Sequence, residues 1–354
     1  MTPEFEQSIK KAFAEQGPLC KNIEGFKRRE SQLQFALAVG EAIENKDVAV
    51  VEAGTGTGKT FAYLVPAILS RSRTIVSTAS KTLQDQLFTK DVGRICSALA
   101  VDCDVAVLKG RNNYICKERL ERLVDRGLFP EPDSYKRLKK IIEFARQSAT
   151  GDKNDIPGIP EKDPLWPWVT STKDNCLGKS KCPHYEDCFL NHARARAREA
   201  DIVIVNHHLF MADLSLKDDT MAELLPEADL VILDEAHKLP DIGIDYFSDM
   251  FSLRELQDFS EEGRIIGKAH APGVIRWDDL FLDVKKAVLN IHQTVYRGMA
   301  LEMDSEIEIG EIADFAEKIK EPFEKLVDAV SAIASAFKSI EGANEESDLF
   351  AERC

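Results

Sequence analysis

The chain has 354 residues, 44% of them hydrophobic, which is enough for two or three packed domains and excludes global disorder. No apolar run approaches the ~20 residues of a bilayer span, and the acidic opening Met1-Thr-Pro-Glu-Phe-Glu6 lacks an apolar signal core, so a soluble, cytoplasmic protein is expected. The formal charge of -15 is uneven: residues 241–354 hold 12 Lys/Arg against 25 Asp/Glu, whereas residues 110–200 hold 18 against 14, so any footprint for phosphate lies in the middle of the chain.

In chain order, the first feature is Phe26-Lys-Arg-Arg-Glu-Ser-Gln32. An amide such as Gln32 offers a donor and an acceptor together and can read an adenine edge; a plain surface helix is the alternative. The run Val48–Val51 reads as a buried strand. It feeds Ala53-Gly-Thr-Gly-Thr-Gly-Lys-Thr60 and a helix predicted over Lys59–Leu69. Backbone N–H groups of Ala53, Gly54, Thr55, Gly56, Thr57 and Gly58 can curl around phosphate oxygens, with the helix N-terminus behind them. Lys59 suits the β- and γ-phosphates of ATP and Thr60 suits Mg²⁺.

Four further runs read as parallel strands: Thr74–Ser77, Val105–Leu108, Ile202–Val205 and Leu230–Leu233. Strands alternating with helices predict a doubly wound α/β core. The segment Ser77-Thr-Ala-Ser-Lys-Thr-Leu-Gln-Asp-Gln86 follows the second run, and its hydroxyls and Lys81 suit a sugar–phosphate backbone; a helix N-cap is the compatible alternative. A helix is expected around Leu83–Phe88, and Cys96 and Cys103 read as small buried hydrophobes.

The alternation breaks after Leu108. Residues 117–149 read as amphipathic helix interrupted at Phe129-Pro-Glu-Pro132, and residues 151–183 are rich in turn-forming prolines. Trp166 and Trp168 are candidates for base stacking, and Arg194, Arg196 and Arg198 for phosphate clamping; local packing and a solvated helix face are the competing readings. The strand pattern resumes at Asp201 and ends in Asp234-Glu-Ala-His237. Both carboxylates then sit at a strand's C-terminal end, the ligand-binding edge of an open α/β sheet. Asp234 suits Mg²⁺ held through water, Glu235 the orientation and deprotonation of an attacking water, and His237 coupling to a neighbouring domain. Beyond Pro240 the pattern is helical, notably Leu282–His292 and Ile312–Phe337, with a loop expected over 341–347.

Cys116, Cys176, Cys182 and Cys188 are separated by 59, 5 and 5 residues. Zinc sites more often use cysteine pairs about two to four residues apart, so an all-thiolate [4Fe–4S] cube fits the spacing better. His184 and His192 keep zinc as an alternative, and buried structural cysteines are a third.

These residues together, with Gly110-Arg-Asn-Asn-Tyr-Ile-Cys116 and Val205-Asn-His-His-Leu-Phe210, resemble the iron–sulfur superfamily 2 DNA helicases of the XPD/DinG type, and within them the bacterial YoaA branch. The resemblance implies a RecA-like P-loop motor domain over 1–109 and 201–240. It also implies an iron–sulfur insertion over 110–200 and a helical arch over 241–354. ATP, Mg²⁺ and a [4Fe–4S] cluster are the implied cofactors, held by Gln32, residues 53–60, Asp234 and the four cysteines. Single-stranded or forked DNA is the implied partner, unwound 5′→3′ with the cluster domain as wedge, in repair or replication and alongside a protein partner.

The 354 residues contain no Gln-x-x-Gly-Arg-x-x-Arg motif of a second RecA-like domain, and the triplet Ser148-Ala-Thr150 precedes the DEAH box instead of following the arch. The chain therefore reads as the N-terminal part of such a helicase, truncated or split. Cross-domain arginines contribute ~10³–10⁵ in rate to related enzymes, so the chain alone is expected to bind ATP and DNA weakly, hydrolyse little and unwind nothing. A non-catalytic DNA- or partner-binding fragment and a zinc-containing P-loop regulator are the alternatives.

Overall fold

A computed structural model describes residues 1–354 except 55, 127–133, 174, 220–223, 248–251, 298–313, 343 and 354. The chain divides into two compact units, Met1–Asp249 and Met250–Cys354. No helix among the described residues is long and apolar enough to cross a membrane.

The first unit is built on four parallel strands, β1 (Thr74–Thr78), β2 (Val105–Val107), β3 (Ile202–Asn206) and β4 (Leu230–Leu233), in the order β2-β3-β1-β4. Thr74 pairs with Ile202 on one side and Leu230 on the other, and Val105 pairs with Ile202. All residues of β1 and β3 are buried, as strands rich in β-branched residues suit where a sheet is covered on both faces. The pleat sorts side chains between two cores. Val76, Ile202 and Ile204 pack with Phe13, Leu64 and Ile95 from helices near the N-terminus. Ile75, Val203 and Val205 pack with Ile115, Leu138, Ile141, Val169 and Phe189 of the segment inserted between β2 and β3. That insertion thus closes one face of the sheet and shares its core.

One expected strand is absent. Val48–Val51 joins no ladder, and Val48 and Val50 are 86% and 95% exposed. β-Branched residues favour a strand only where neighbours bury them. None of the four strands pairs with this run, so it remains extended chain between the helices Glu30–Asn45 and Lys59–Ser70.

The helix after β1 spans Lys81–Gln86 and continues through a π-turn, Leu87–Val92, into Gly93–Leu99. The charged stretch beyond Cys116 forms helices Lys117–Arg126 and Ser134–Gln147, and the Phe129–Pro132 interruption lies outside the described residues. Ser148 follows the second helix and its hydroxyl accepts from Thr150 and Gly151 N–H, so the Ser-Ala-Thr triplet is a turn and not part of a helix.

A buried cation ties the insertion to the sheet. Lys109, just past β2, is almost fully buried; its Nζ lies 2.6 Å from Asp152 of the insertion and 2.8 Å from Asp85 of the helix after β1. Burial works against its charge, but the bonds to Asp152 and Asp85 outweigh it and raise the Lys109 pKa.

The second unit comprises helices Leu253–His270, Trp277–His292, Phe315–Lys338 and Glu345–Arg353 around Trp277, Phe281, Phe337 and Phe350. Gly267 permits the close approach: a Cβ there would meet Trp277 at 2.4 Å. The last helix begins at Glu345 and so shortens the loop expected over 341–347. Asn344 Oδ1 accepts from Glu346 N–H and so caps a new helix, whose Phe350 stacks on Phe259 at 4.5 Å.

Candidate functional site

β1, β3 and β4 end at one edge of the sheet, and the helix Lys59–Ser70 begins there. Lys59 Nζ donates to Glu235 Oε1 at 3.0 Å, joining the glycine-rich loop to the Asp-Glu-Ala-His box across 176 residues of sequence. Within the loop, Thr57 Oγ1 donates to the Gly54 carbonyl at 2.7 Å, and Thr55 lies outside the described residues. Gly58 is left-handed (φ 80°) and a Cβ there would meet Gln32 Nε2 at 2.2 Å, so both backbone and neighbour demand glycine.

Asp234 is half-buried. Burial raises its pKa, the adjacent Glu235 charge raises it further, and Lys59 opposes both. Tyr63 is buried beside Asp234 and Thr60, and burial drives its phenol well above the ordinary range. Glu235 adopts the left-handed region (φ 55°), which for a non-glycine costs ~1–3 kcal/mol and persists only where surroundings fix it. That turn aims its carboxylate at Lys59, while His237 Nδ1 sits 3.4 Å from the other oxygen with its side chain 64% exposed. Cation, two carboxylates and helix N-terminus together make a site for a phosphate chain and its divalent metal.

Gln32 donates through Nε2 to the Gly58 carbonyl at 2.9 Å, while its buried Oε1 has no partner among the described residues. It lines a cleft of about 250 Å³ with Phe26, Lys27, Phe61 and Arg94. Phe26 and Phe61 rings lie 5.3 Å apart. An amide acceptor lining a cleft beside a packed pair of aromatic rings suits the exocyclic amine of a purine.

The segment after β1 is partly structural. Ser80 caps its helix by accepting from Leu83 N–H, and buried Gln84 donates to the carbonyls of Leu108 and Ile204. Lys81 bonds Glu161 of the insertion at 3.0 Å. Trp166 is buried with Nε1 donating to the Pro160 carbonyl, and Trp168 is partly buried against the same core, so local packing accounts for both. Arg196 and Arg198 are exposed on the helix Phe189–Glu199.

Cys116 lies near enough to Cys182 and Cys188, and Cys182 to Cys176, for their charges to interact. Ile115 bridges Thr170, and Cys116 N–H donates to the Val169 carbonyl at 2.8 Å, which folds the long sequence gap back on itself. Burial raises the Cys116 thiol pKa, with Cys182 and Cys188 adding to the effect; burial also raises Cys182, with Cys188 and Cys176 contributing. All four are half-buried. Both histidines that favoured zinc are engaged elsewhere: His184 Nε2 pairs with Glu121 at 2.8 Å and His192 Nε2 with the Glu186 carbonyl at 2.8 Å. Among the described residues, the ligand atoms of Glu118, Glu121 and His184 lie within 4.8 Å of one another, and no three cysteine sulfurs do.

Sequence reasoning missed Tyr63, Phe61, Arg94 and His207. Tyr63 carried a usable signal, standing four residues after Lys59 on one helix face. Arg94 carried none, because only the folded chain brings its helix to the cleft.

The DEAD/DEAH box helicase family profile matches residues 33–126. The chain is 44% identical over 263 residues to the ATP-dependent DNA helicase YoaA of Haemophilus influenzae, covering 74% of this chain and 41% of that protein. It is 48% identical over 250 residues to YoaA of Escherichia coli, covering 71% and 39%. It is 35% identical over 241 residues to the ATP-dependent helicase DinG of Mycobacterium tuberculosis, covering 61% and 35%. The chain thus spans about two fifths of the length of the YoaA relatives it matches.

Proposed function

We propose that this chain, a homologue of the XPD/DinG-type helicases corresponding to their N-terminal part, is the nucleotide-binding motor portion of an ATP-dependent DNA helicase. The observation that carries the reading is the Lys59–Glu235 contact at 3.0 Å, which brings the glycine-rich loop and the acidic box to one sheet edge. Lys59 neutralises phosphate charge, Thr60 and Asp234 hold Mg²⁺, and Glu235 orients and deprotonates the attacking water once nucleotide displaces it from Lys59. Gln32 and the Phe26–Phe61 walls take the base. His237, at the exposed rim, is free to meet a neighbouring domain.

The four cysteines are read as ligands of a [4Fe–4S] cluster carried by the insertion 110–200, with the motor over 1–109 and 201–240 and an arch over 241–354. Tetrahedral zinc, with bonds of ~2.3 Å, brings its sulfurs to within about 4 Å of one another. The five-residue gaps between Cys176, Cys182 and Cys188, longer than the pairs zinc sites use, support the larger group. The cluster supplies a rigid element at the duplex junction; single-stranded or forked DNA is the substrate class, with 5′→3′ movement by family likeness and repair or replication as the setting. Without a second motor domain's arginines, these 354 residues hydrolyse ATP slowly and do not unwind DNA.

The test is one preparation assayed twice. Anaerobically purified chain is expected to carry about four iron and four sulfide, and to bind Mg²⁺·mant-ATP, the fluorescent ATP analogue. Stoichiometric zinc sinks the cluster assignment alone. Absence of Mg²⁺-dependent mant-ATP binding by folded chain sinks the reading of the motor, and DNA unwinding by it sinks the prediction that these residues alone do not unwind.

A further inference from the structure

The sequence Asn206-His207 follows β3 directly, and the roles assigned above leave it unused. His207 is completely buried. Its Nε2 lies 2.8 Å from the Asp234 carbonyl oxygen and its Nδ1 lies 2.7 Å from Ser77 Oγ. The two distances fix the proton. A carbonyl only accepts, so Nε2 carries the hydrogen; in a neutral ring Nδ1 then accepts, and the Ser77 hydroxyl donates to it.

Three strand ends meet at this imidazole. Asp234 N–H donates to the Ser77 carbonyl at 2.8 Å, so the main chain of Asp234 is held on both sides, its N–H by Ser77 and its C=O by His207. The next residue is the left-handed Glu235, whose carbonyl is held in turn by Lys238 N–H at 3.0 Å. The Asp234–Glu235 peptide enters this unfavourable turn, and the His207 bond fixes its orientation. Asn206 secures the other flank, its Oδ1 accepting from Leu209 N–H at 2.9 Å to cap the helix that follows β3.

We propose that His207 is a positioning residue, an imidazole bracket that holds the Asp234 carbonyl through Nε2–H and Ser77 Oγ through Nδ1. By doing so it fixes the strained turn that aims the Glu235 carboxylate, and it ties that turn to the start of the Ser77–Gln86 segment. The part of this inference that concerns metal-bound nucleotide rests on the motor reading above; the part that concerns the bracket does not.

Two measurements separate them. Long-range ¹H–¹⁵N correlation of histidine-labelled full chain reads the tautomer directly: a hydrogen on Nε2 of His207 is expected, and a ring protonated at Nδ1 alone overturns the bracket. Binding of mant-ATP with and without Mg²⁺ reads the consequence. His207→Phe keeps the bulk but loses the donor, and is expected to reduce the Mg²⁺-dependent gain in affinity by ~10-fold while metal-free binding changes less than ~2-fold. His207→Gln, which keeps a donor toward Asp234, restores part of the gain. Ser77→Ala, which leaves the ring in place, reduces it by ~3-fold through loss of the tautomer lock, and serves if His207→Phe does not fold. An unchanged gain in both variants, or equal loss with and without Mg²⁺, overturns the positioning role. If the unmodified chain binds no mant-ATP, the motor reading fails and the tautomer alone decides the bracket.

Discussion

The nucleotide edge and the cysteine-bearing insertion grow from the same four strands, yet opposite means hold them. At the nucleotide edge, charged groups stay half-exposed on backbone that is unfavourable by itself: Gly58 and Glu235 are both left-handed, and Lys59 and Glu235 reach solvent. The insertion is held by burial, with Leu138, Ile141, Val169 and Phe189 closing a face of the sheet and Lys109 locked between two carboxylates. A site that must exchange ligands keeps its charges available and strains the chain to aim them. A platform that must stay put hides its charges and satisfies them.

The sharpest way to break this contrast is Lys109→Met. Removing one member of a buried ion group leaves an uncompensated charge and costs about 3–5 kcal/mol, reduced here because Asp85 is half-exposed. Hydrogen exchange is expected to accelerate across 110–170, with Mg²⁺·mant-ATP binding by the remaining folded chain little altered. Equal loosening of both regions would show that they are one cooperative block. Next is Lys59→Ala, which removes charge-assisted bonds worth about 1.5–3 kcal/mol: mant-ATP affinity should fall ~10–100-fold with melting temperature and iron content unchanged. Gly58→Ala tests the strain itself. Its Cβ meets Gln32 Nε2 in a left-handed residue, so a loss of ~1–2 kcal/mol is expected, with the affinity for adenine nucleotides reduced through displaced Gln32.

The smallest effect has the opposite sign. Asp234 has a folded-state pKa above its ordinary 3.8, so folding disfavours its ionised form. That penalty is absent below 3.8, appears as pH rises through the raised value and is complete at neutral pH. Asp234→Asn is therefore expected to raise the melting temperature by ~1–3 °C at pH 7, and not at pH 3, while abolishing the Mg²⁺-dependent gain in mant-ATP binding. In the unmodified chain, that gain should decay on acidification at a higher pH than an ordinary aspartate would set. A destabilised Asp234→Asn chain would mean that its carboxylate is a structural hub.

The parts legible in the sequence were those where chemistry and periodicity coincide within a few residues. The runs at Thr74, Val105, Ile202 and Leu230 became strands because short apolar stretches rich in β-branched residues suit a parallel sheet. Glu235 could be placed because it follows a strand end, and Lys59 and Gln32 because the glycine-rich loop and the helix before it are recognisable from local residues. The reading failed where the deciding partner is remote. Val48–Val51 is as wholly apolar as β4 but has no ladder partner among the described strands. The tail beyond Asn344 became a helix because Phe350 finds Phe259 and Phe337. His207 looked like one histidine of a pair, and only the meeting of three strand ends gives it a task.

The unequal edges of the sheet carry a practical consequence. β4 lies at the outside of the order β2-β3-β1-β4, with Val231 and Leu233 43% and 39% exposed. From Leu230 to Leu233 it bears no charge, proline or bulge, the devices that keep a free strand from recruiting another. The equally bare Val48–Val51 adds a second apolar ribbon to the same chain. Purified alone, these 354 residues should behave as a sticky colloid: light scattering is expected to climb steeply with concentration and warmth, and storage dilute and cold becomes part of handling the protein.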